Sequence, residues 1–435
     1  MRRLHLPFIL ALAAAFLADA AAAPARALPA TISVGLASGR SSLSLRLPAG
    51  SAVDGPGGRL MQVEAETALV LTKTGGHITA GGADLGPGPL CVTPGEGFLY
   101  YGTRPYRGVF RIQAAGGGLT LIDEVGFEDY LRGVVPAEVD PAWPAEALKA
   151  QAVAARTYAA GRHGSHAREG YDICATVHCQ VYGGAAVEAA STNRALDETR
   201  GEILTYQGRL ISAYYHSASG GYTEDVESVW AGATPFAYLR GVPDPAESSP
   251  YGRWRTELSW EEVEKAVAAK YPALGRIQEI RAEGRTQAGR VRIVVLAGER
   301  GTARISGENF RALFSLGNAK IRSTCFELRT EYAPAPAAPA EALGASQVLH
   351  TLAPSAGFLW LGVMDGGWVM IPVRLTVEGR GSGHGVGLSQ WGAKALAELG
   401  YTYGMILKHY YQGVEIENWL APAEDPAPAG VSFQG

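Results

Sequence analysis

Glycine occupies every second position from Gly381 to Gly387, in the run GSGHGVGLSQWGAKAL (Gly381 to Leu396). Flexible residues at that density cost conformational entropy, so the backbone there must visit positive φ or approach something closely. A glycine-rich loop ahead of a helix suits phosphate. Neither GxxxxGKS/T nor a strand-borne GxGxxG is present, however. Two readings remain, a site for a neutral, hydrogen-bonding ligand or a tightly packed turn. The run carries His384 and closes on Ser389 and Gln390 before a helical segment.

The chain has 435 residues, enough for two or three domains and a sizeable core. Its net charge of −4, with both signs mixed along the chain, offers no basic face for nucleic acid. At the N-terminus, Arg2 and Arg3 precede an apolar run from Leu6 to Leu17 and small residues from Ala21 to Ala27. That order is a signal peptide's, and the rival, an uncleaved anchor, is disfavoured by the shortness of the run. An exported protein is expected, in the periplasm, cell wall or extracellular space.

Between residues 30 and 120, apolar and polar positions alternate between Gly and Pro punctuation, as in SLSLRLPAG and ALVLTKTGG, which reads as short strands. LTLIDEVGFEDYLR passes from a strand into a short helix around Phe127 to Arg132. AEALKAQAVAARTYAAGR reads as a helix behind Pro144, its small residues suggesting close burial. SWEEVEKAVAAKY opens on a Ser259–Glu262 capping box. The segments IQEIRAEG and GRVRIVVLAG look like a hairpin, ENFRALFSL a helix, and strands resume in FLWLGVMDGGWVMIPVRLTVEG. The overall expectation is an α+β fold.

Glu138, in VVPAEVDPAW, is the sharpest catalytic candidate. It follows two valines and sits between Pro136 and Pro141, in stiff, apolar surroundings that would raise its pKa toward that of a useful general acid. The bland alternative is an exposed loop glutamate, and Asp123, Glu124, Glu128, Asp129 and Asp140 compete for the role. A second cluster, HGSHAREGYDICATVHCQVYGG, brings Cys174, His178 and Cys179 together shortly after His163 and His166. Thiolates with imidazoles suit tetrahedral zinc, whereas a Cys174–Cys179 disulfide is the competing reading for an exported chain. A third, YYHSASGGYTEDVESVW, sets His216 beside Ser217 and Ser219 at a strand end. Neighbouring strand residues point apart and GxSxG is absent, so sugar hydrogen bonding fits better than a triad.

Taken in order, YLRGVVPAEV with WPAEALKAQAVAARTYA, CATVHCQVYGG, HSASGGYTEDVESVW and GSGHGVGLSQWGAKALAELGYTYGMILKHYYQGVEI resemble the signatures of the SpoIID/LytB family of sporulation and cell-wall proteins. The blocks span roughly residues 120 to 417. The resemblance implies a lytic transglycosylase acting on peptidoglycan glycan strands, with Glu138 as acid/base. It also favours structural zinc on Cys174, Cys179, His178 and the upstream His166, with no organic cofactor. Substrate contacts are expected from Gln151 and Arg156 in the helical block and from His216, Ser217 and Ser219. His384, Ser389 and Gln390 of the glycine run complete that set. Two rival functions stay open. One is a non-catalytic glycan-binding module that enhances a cell-wall amidase. The other is a glycoside hydrolase, which needs a second carboxylate, with Asp225 or Glu224 the first suspects.

The implied division is a signal peptide over 1–27, an N-terminal β-rich region over 28–118 and a catalytic core over 119–332 with an inserted α+β segment near 255–330. A Pro/Ala linker over 333–346, the C-terminal part of the core over 347–420 and a flexible tail over 421–435 follow.

Overall fold

A computed structural model describes residues 27–230, 232–245, 249–314, 321–336 and 368–420. The expected signal peptide up to residue 26, linker residues 337–346, residues 347–367 of the expected C-terminal core and the tail from 421 lie outside the described residues. Residues 333–336, expected to open the linker, instead end the strand Phe326–Pro336, which pairs antiparallel with Trp368–Gly379. The fold is α+β. No helix among the described residues is long and apolar enough to cross a membrane.

Period-two patterning builds the first core. Leu43, Leu45 and Leu47 all point inward from the strand Ser42–Leu47 of a six-stranded sheet. They share that core with Val34, Phe110, Ile112 and Leu121 of a seven-stranded sheet. Within the larger sheet, Gly118–Gly126 pairs antiparallel with both Thr31–Arg40 and Val109–Ala115. It then runs directly into helix α1, Phe127–Glu138. Helix α1 buries Phe127, Tyr130, Leu131, Val134 and Val135 on one face.

The helix reaches further than the expected Phe127–Arg132. Pro136 lies inside its last turn, so the helix continues although the ring removes the N–H that would bond the Arg132 carbonyl. The Val139 N–H closes the end on the Val135 carbonyl at 3.1 Å. Glu138 is therefore the last residue of a helix, rather than part of a proline-braced loop.

Helix α2, Ala145–Arg162, is buried on nearly every side from Ala147 to Ala159, as an interior helix must be. Leu148, Ala152 and Ala155 face the first core, while Ala150, Val153 and Ala154 face a second. That second core contains Leu204, Val386, Leu388 and the inner faces of helices Gln390–Glu398 and Tyr403–Tyr410. A third core forms under the hairpin Ile277–Arg285/Val291–Gly298 and the helix Trp260–Lys270, whose Ser259–Glu262 capping box is fully formed.

The glycine run owes its composition to packing. Gly381, Gly383, Gly385 and Gly387 all have positive φ, between 71° and 101°. A Cβ on Gly387 would stand 2.1 Å from the Tyr214 carbonyl oxygen, and one on Gly385 2.5 Å from the Arg290 guanidinium. Leu388–Ser389, just beyond the run, pairs in parallel with Tyr215–His216. Of the two readings of this run, the structure supports the tightly packed turn, and the surface it packs against is the YYHSAS segment.

Candidate active site

Glu138 is presented at the C-terminal end of α1, half-buried. Its Oε1 accepts the Val181 N–H at 3.0 Å. Burial raises its pKa above the ordinary glutamate value, and that outweighs the opposing pull of the Val181 N–H, the Gln390 amide and the Tyr215 hydroxyl. Trp391, next to Gln390, packs edge-on against Trp143 with ring centroids 5.0 Å apart. That contact holds the turn after Glu138 against the helix that begins with Gln390.

The competing acids are occupied elsewhere. Asp123 is fully buried and accepts the Tyr182 hydroxyl at 2.9 Å. Burial lifts its pKa to about 7, but none of its surface is exposed. Glu124 pairs with Arg111, Asp129 with Arg132 at 3.5 Å, and Asp140 accepts the Ala142 N–H at 2.9 Å. Glu128 forms a two-pronged pair with Arg156 at 2.8 and 2.9 Å. The suspected second carboxylates fare no better. Asp225 faces Arg240 at 3.3 Å, and buried Glu224 accepts the Thr286 hydroxyl.

Several residues expected to touch substrate are held by the fold instead. Arg156 has 0% of its side chain exposed, and besides Glu128 it donates to the carbonyls of Leu196 and Glu202 at 3.3 Å. It has no surface left for a sugar, so its assignment as a substrate contact is corrected to a structural one. The same correction applies to Ser389, whose hydroxyl caps the helix Gln390–Glu398 through the Gly392 N–H at 3.2 Å. Ser219 is likewise committed, to Asp244 and to the Gly221 N–H. Both ring nitrogens of His384 are used, Nε2 toward the Tyr215 carbonyl at 3.0 Å and Nδ1 from the Val386 N–H at 3.1 Å. Burial, with the Arg290 and Arg311 charges, brings its pKa down to about 3, so it stays neutral.

The remainder keep unused polar atoms. His216 points Nδ1 at the Val386 carbonyl, 3.2 Å away, and leaves a buried Nε2 without a partner. Gln151 is buried with neither amide atom bonded, and Gln390 turns its amide toward Glu138, close enough to favour the anion though its Nε2 makes no short hydrogen bond. Ser217 is half-buried, and its carbonyl accepts the Trp391 N–H at 3.0 Å. The structure thus gathers Glu138 and Gln390 with Tyr215, and seats His216 against His384 with ring centroids 5.4 Å apart.

The sealed Arg156–Glu128 pair has a measurable consequence. Arg156→Leu leaves the Glu128 carboxylate, 14% exposed, without its counter-ion. A destabilisation of about 3–5 kcal/mol is expected, read as a lower denaturation midpoint. Glycan affinity of the molecules still folded should be unchanged, and a loss of affinity at full stability would restore Arg156 to the binding set.

The Cys/His cluster forms a compact donor set. The ligand atoms of His166, Cys174, His178 and Cys179 all lie within 4.8 Å of one another. His166 Nε2 is 3.3 Å from the Cys179 sulfur, and His178 Nδ1 is 3.4 Å from Cys179 and 3.7 Å from Cys174. Tetrahedral metal–ligand bonds near 2.0–2.3 Å imply donor separations of roughly 3.6 Å, so these residues fit a four-coordinate metal ion. Both cysteines are free thiols. The parallel pairing of Ile173–Cys174 with Val34 and Gly35 ties the cluster to the seven-stranded sheet.

Sequence reasoning missed Tyr215, Gln180, the Val181 amide and the Trp143–Trp391 contact. Only the Gln-Val that follows Cys179 and the doubled tyrosine before His216 hinted at them.

A family model described as SpoIID, Stage II sporulation protein, matches residues 115–206. An uncharacterised protein of Brachyspira hyodysenteriae is 32% identical over 331 residues, 74% of each chain. Stage II sporulation protein D of Bacillus amyloliquefaciens is 30% identical over 312 residues, covering 68% of this chain and 75% of that one. The Amidase enhancer of Bacillus subtilis is 30% identical over 297 residues, 66% of this chain and 40% of its own length.

Proposed function

Since the chain belongs to the stage II sporulation protein D family, we propose that it is a lytic transglycosylase of peptidoglycan whose acid/base is Glu138. The observation that carries this reading is the Glu138 carboxyl at the end of α1, half-buried with a raised pKa, the groups acting on it being neutral hydrogen-bond donors. A hydrolase needs a second carboxylate roughly 5–10 Å away to act on water or on the sugar carbon. Asp225 and Glu224 are committed to Arg240 and Thr286.

One carboxyl suffices if the nucleophile belongs to the substrate. Protonated Glu138 donates its proton to the glycosidic oxygen between N-acetylmuramic acid and N-acetylglucosamine, and the C1–O bond breaks. The muramic C6 hydroxyl closes onto C1, and the Glu138 carboxylate takes that hydroxyl's proton, which restores the acid. No water is consumed. The intramolecular attack draws on effective molarities on the order of 10⁵ M or more in well-oriented systems.

Zinc is the ion proposed for the cluster of His166, Cys174, His178 and Cys179, given two thiols and two imidazoles at tetrahedral spacing. Bound there it supplies no chemistry to the glycan and acts as a structural tie. The N-terminal run supports export to the wall compartment.

Digestion of purified glycan strands in isotopically heavy water tests the reaction. The expected new ends are 1,6-anhydromuramic acid, lighter than hydrolysis products by one water and free of heavy oxygen. Labelled reducing ends would mean hydrolysis. The relative named Amidase enhancer favours one other reading, a glycan-binding partner of a cell-wall amidase. Glycan pulled down with no new ends would support it.

A further inference from the structure

The residues that follow Cys179 reach both the acid and its neighbour. The Val181 backbone N–H donates to Glu138, and the side chain of Gln180, 1% exposed, lies behind it. Gln180 Oε1 accepts the Tyr130 hydroxyl at 3.2 Å. Its Nε2 donates to the Ala155 carbonyl at 3.2 Å and to the Tyr215 hydroxyl oxygen at 2.9 Å. The amide cannot be reversed, because Oε1 would then face the Ala155 carbonyl.

A phenol has one proton and two lone pairs. With Gln180 donating into the Tyr215 oxygen, that oxygen's own proton is left for another acceptor, and the Glu138 carboxyl is the neighbour that can use it. Burial and the nearby Glu138 hold the Tyr215 pKa well above the ordinary tyrosine value, so the hydroxyl remains a donor at all working pH. The Tyr215 hydroxyl in turn favours the Glu138 anion.

We propose that Gln180 is a positioning residue, which turns the Tyr215 proton toward Glu138 and so holds the carboxyl in the orientation that gives up and recovers a proton at the glycan. The role rests on the reading of Glu138 as acid/base. It also gives the loop bearing the Cys/His cluster a second task. Cys179, Gln180 and Val181 are consecutive, so the segment anchored at Cys179 sets two of the contacts around the acid.

Among the described residues, the groups that act on Glu138 are the Val181 and Gln390 amides and the Tyr215 phenol, while the Tyr130 phenol is bonded to Gln180 and only feels the Glu138 charge. All are uncharged near neutral pH, so a change in Glu138 titration reports their hydrogen bonding. The experiment follows the Glu138 carboxyl carbon by NMR in protein carrying δ-¹³C-glutamate, with the signal assigned by its loss in Glu138→Gln. In Gln180→Met the anion loses a directed donor, so the midpoint should rise by about one pH unit. On glycan strands, kcat should fall about tenfold while KM stays within about twofold. Tyr215→Phe should do the same, and the double variant should be no worse than the worse single one.

An unmoved midpoint in folded Gln180→Met, or effects that multiply in the double variant, would overturn the role. If Gln180→Met does not fold, Tyr130→Phe decides. It frees the Oε1 end of the amide while leaving Gln180 in place, and a smaller upward shift is expected, none being the contrary result. The absence of anhydro ends from the wild type would sink the reaction itself, in a measurement separate from the titration.

Discussion

Glu138→Gln is expected to cut glycan cleavage by at least ~10³-fold while leaving the fold and glycan binding intact. The substitution keeps an oxygen to accept the Val181 N–H, at 3.0 Å in the wild type, but carries no proton to give. The pH dependence follows from the sign of the shift. Burial raises the Glu138 pKa, and cleavage begins from the protonated form. Activity should therefore persist above the ordinary carboxyl range near ~4.3 and fall on the alkaline side as pH passes the raised value. Stability runs the same way. The folded state binds this proton more tightly than the unfolded chain, so the favourable contribution is present below the ordinary pKa and is lost as pH rises through the folded one. Glu138→Gln, neutral throughout, should melt no lower than the wild type above neutrality. Substantial turnover in the Gln variant would move the acid to another residue.

What the sequence disclosed depended on how local the cause was. The Ser259–Glu262 cap, the hairpin around residues 286–290 and the burial of α2 follow from residues a few positions apart, and each stands in the structure. The Cys174–Cys179 segment was legible for the same reason, since the donors nearly share one loop. His384 and Arg156 misled because side-chain chemistry says nothing about what lies opposite. One spends Nε2 on the Tyr215 carbonyl 169 residues away in sequence and Nδ1 on its near neighbour Val386, the other is sealed against Glu128 on α1. Ranking Glu138 above Asp123 needed exposure as well as burial. Both carboxyls are shifted upward, but Asp123 is closed off behind Tyr182. Tyr215 and Gln180 escaped notice because their partnership bridges 35 residues and has no periodicity to betray it.

Stripping metal from the protein is expected to lower its melting temperature by on the order of 10 °C, with about one zinc per chain recovered from the untreated sample. A ligand at a thousand times its dissociation constant contributes about 4 kcal/mol, and each kcal/mol moves a domain of this size by about 2–4 °C. Burial opposes ionisation of both thiols, yet the Thr176 hydroxyl and N–H, with Cys179 and His178, bring Cys174 down to about 7. Cys179 is pushed up to about 11. The pair thus holds a proton between its sulfurs that a divalent ion would displace, so metal uptake should release protons and weaken below neutrality. Cys174→Ala should abolish uptake, whereas Cys325→Ala, a buried thiol outside the cluster, should leave it intact. Because Cys179 leads straight into Gln180 and the Val181 amide, apo-protein should also lose cleavage activity beyond what its unfolded fraction explains. A Cys174–Cys179 disulfide in the active protein, or identical melting with and without chelator, would remove zinc from the account and leave the loop held by its own hydrogen bonds alone.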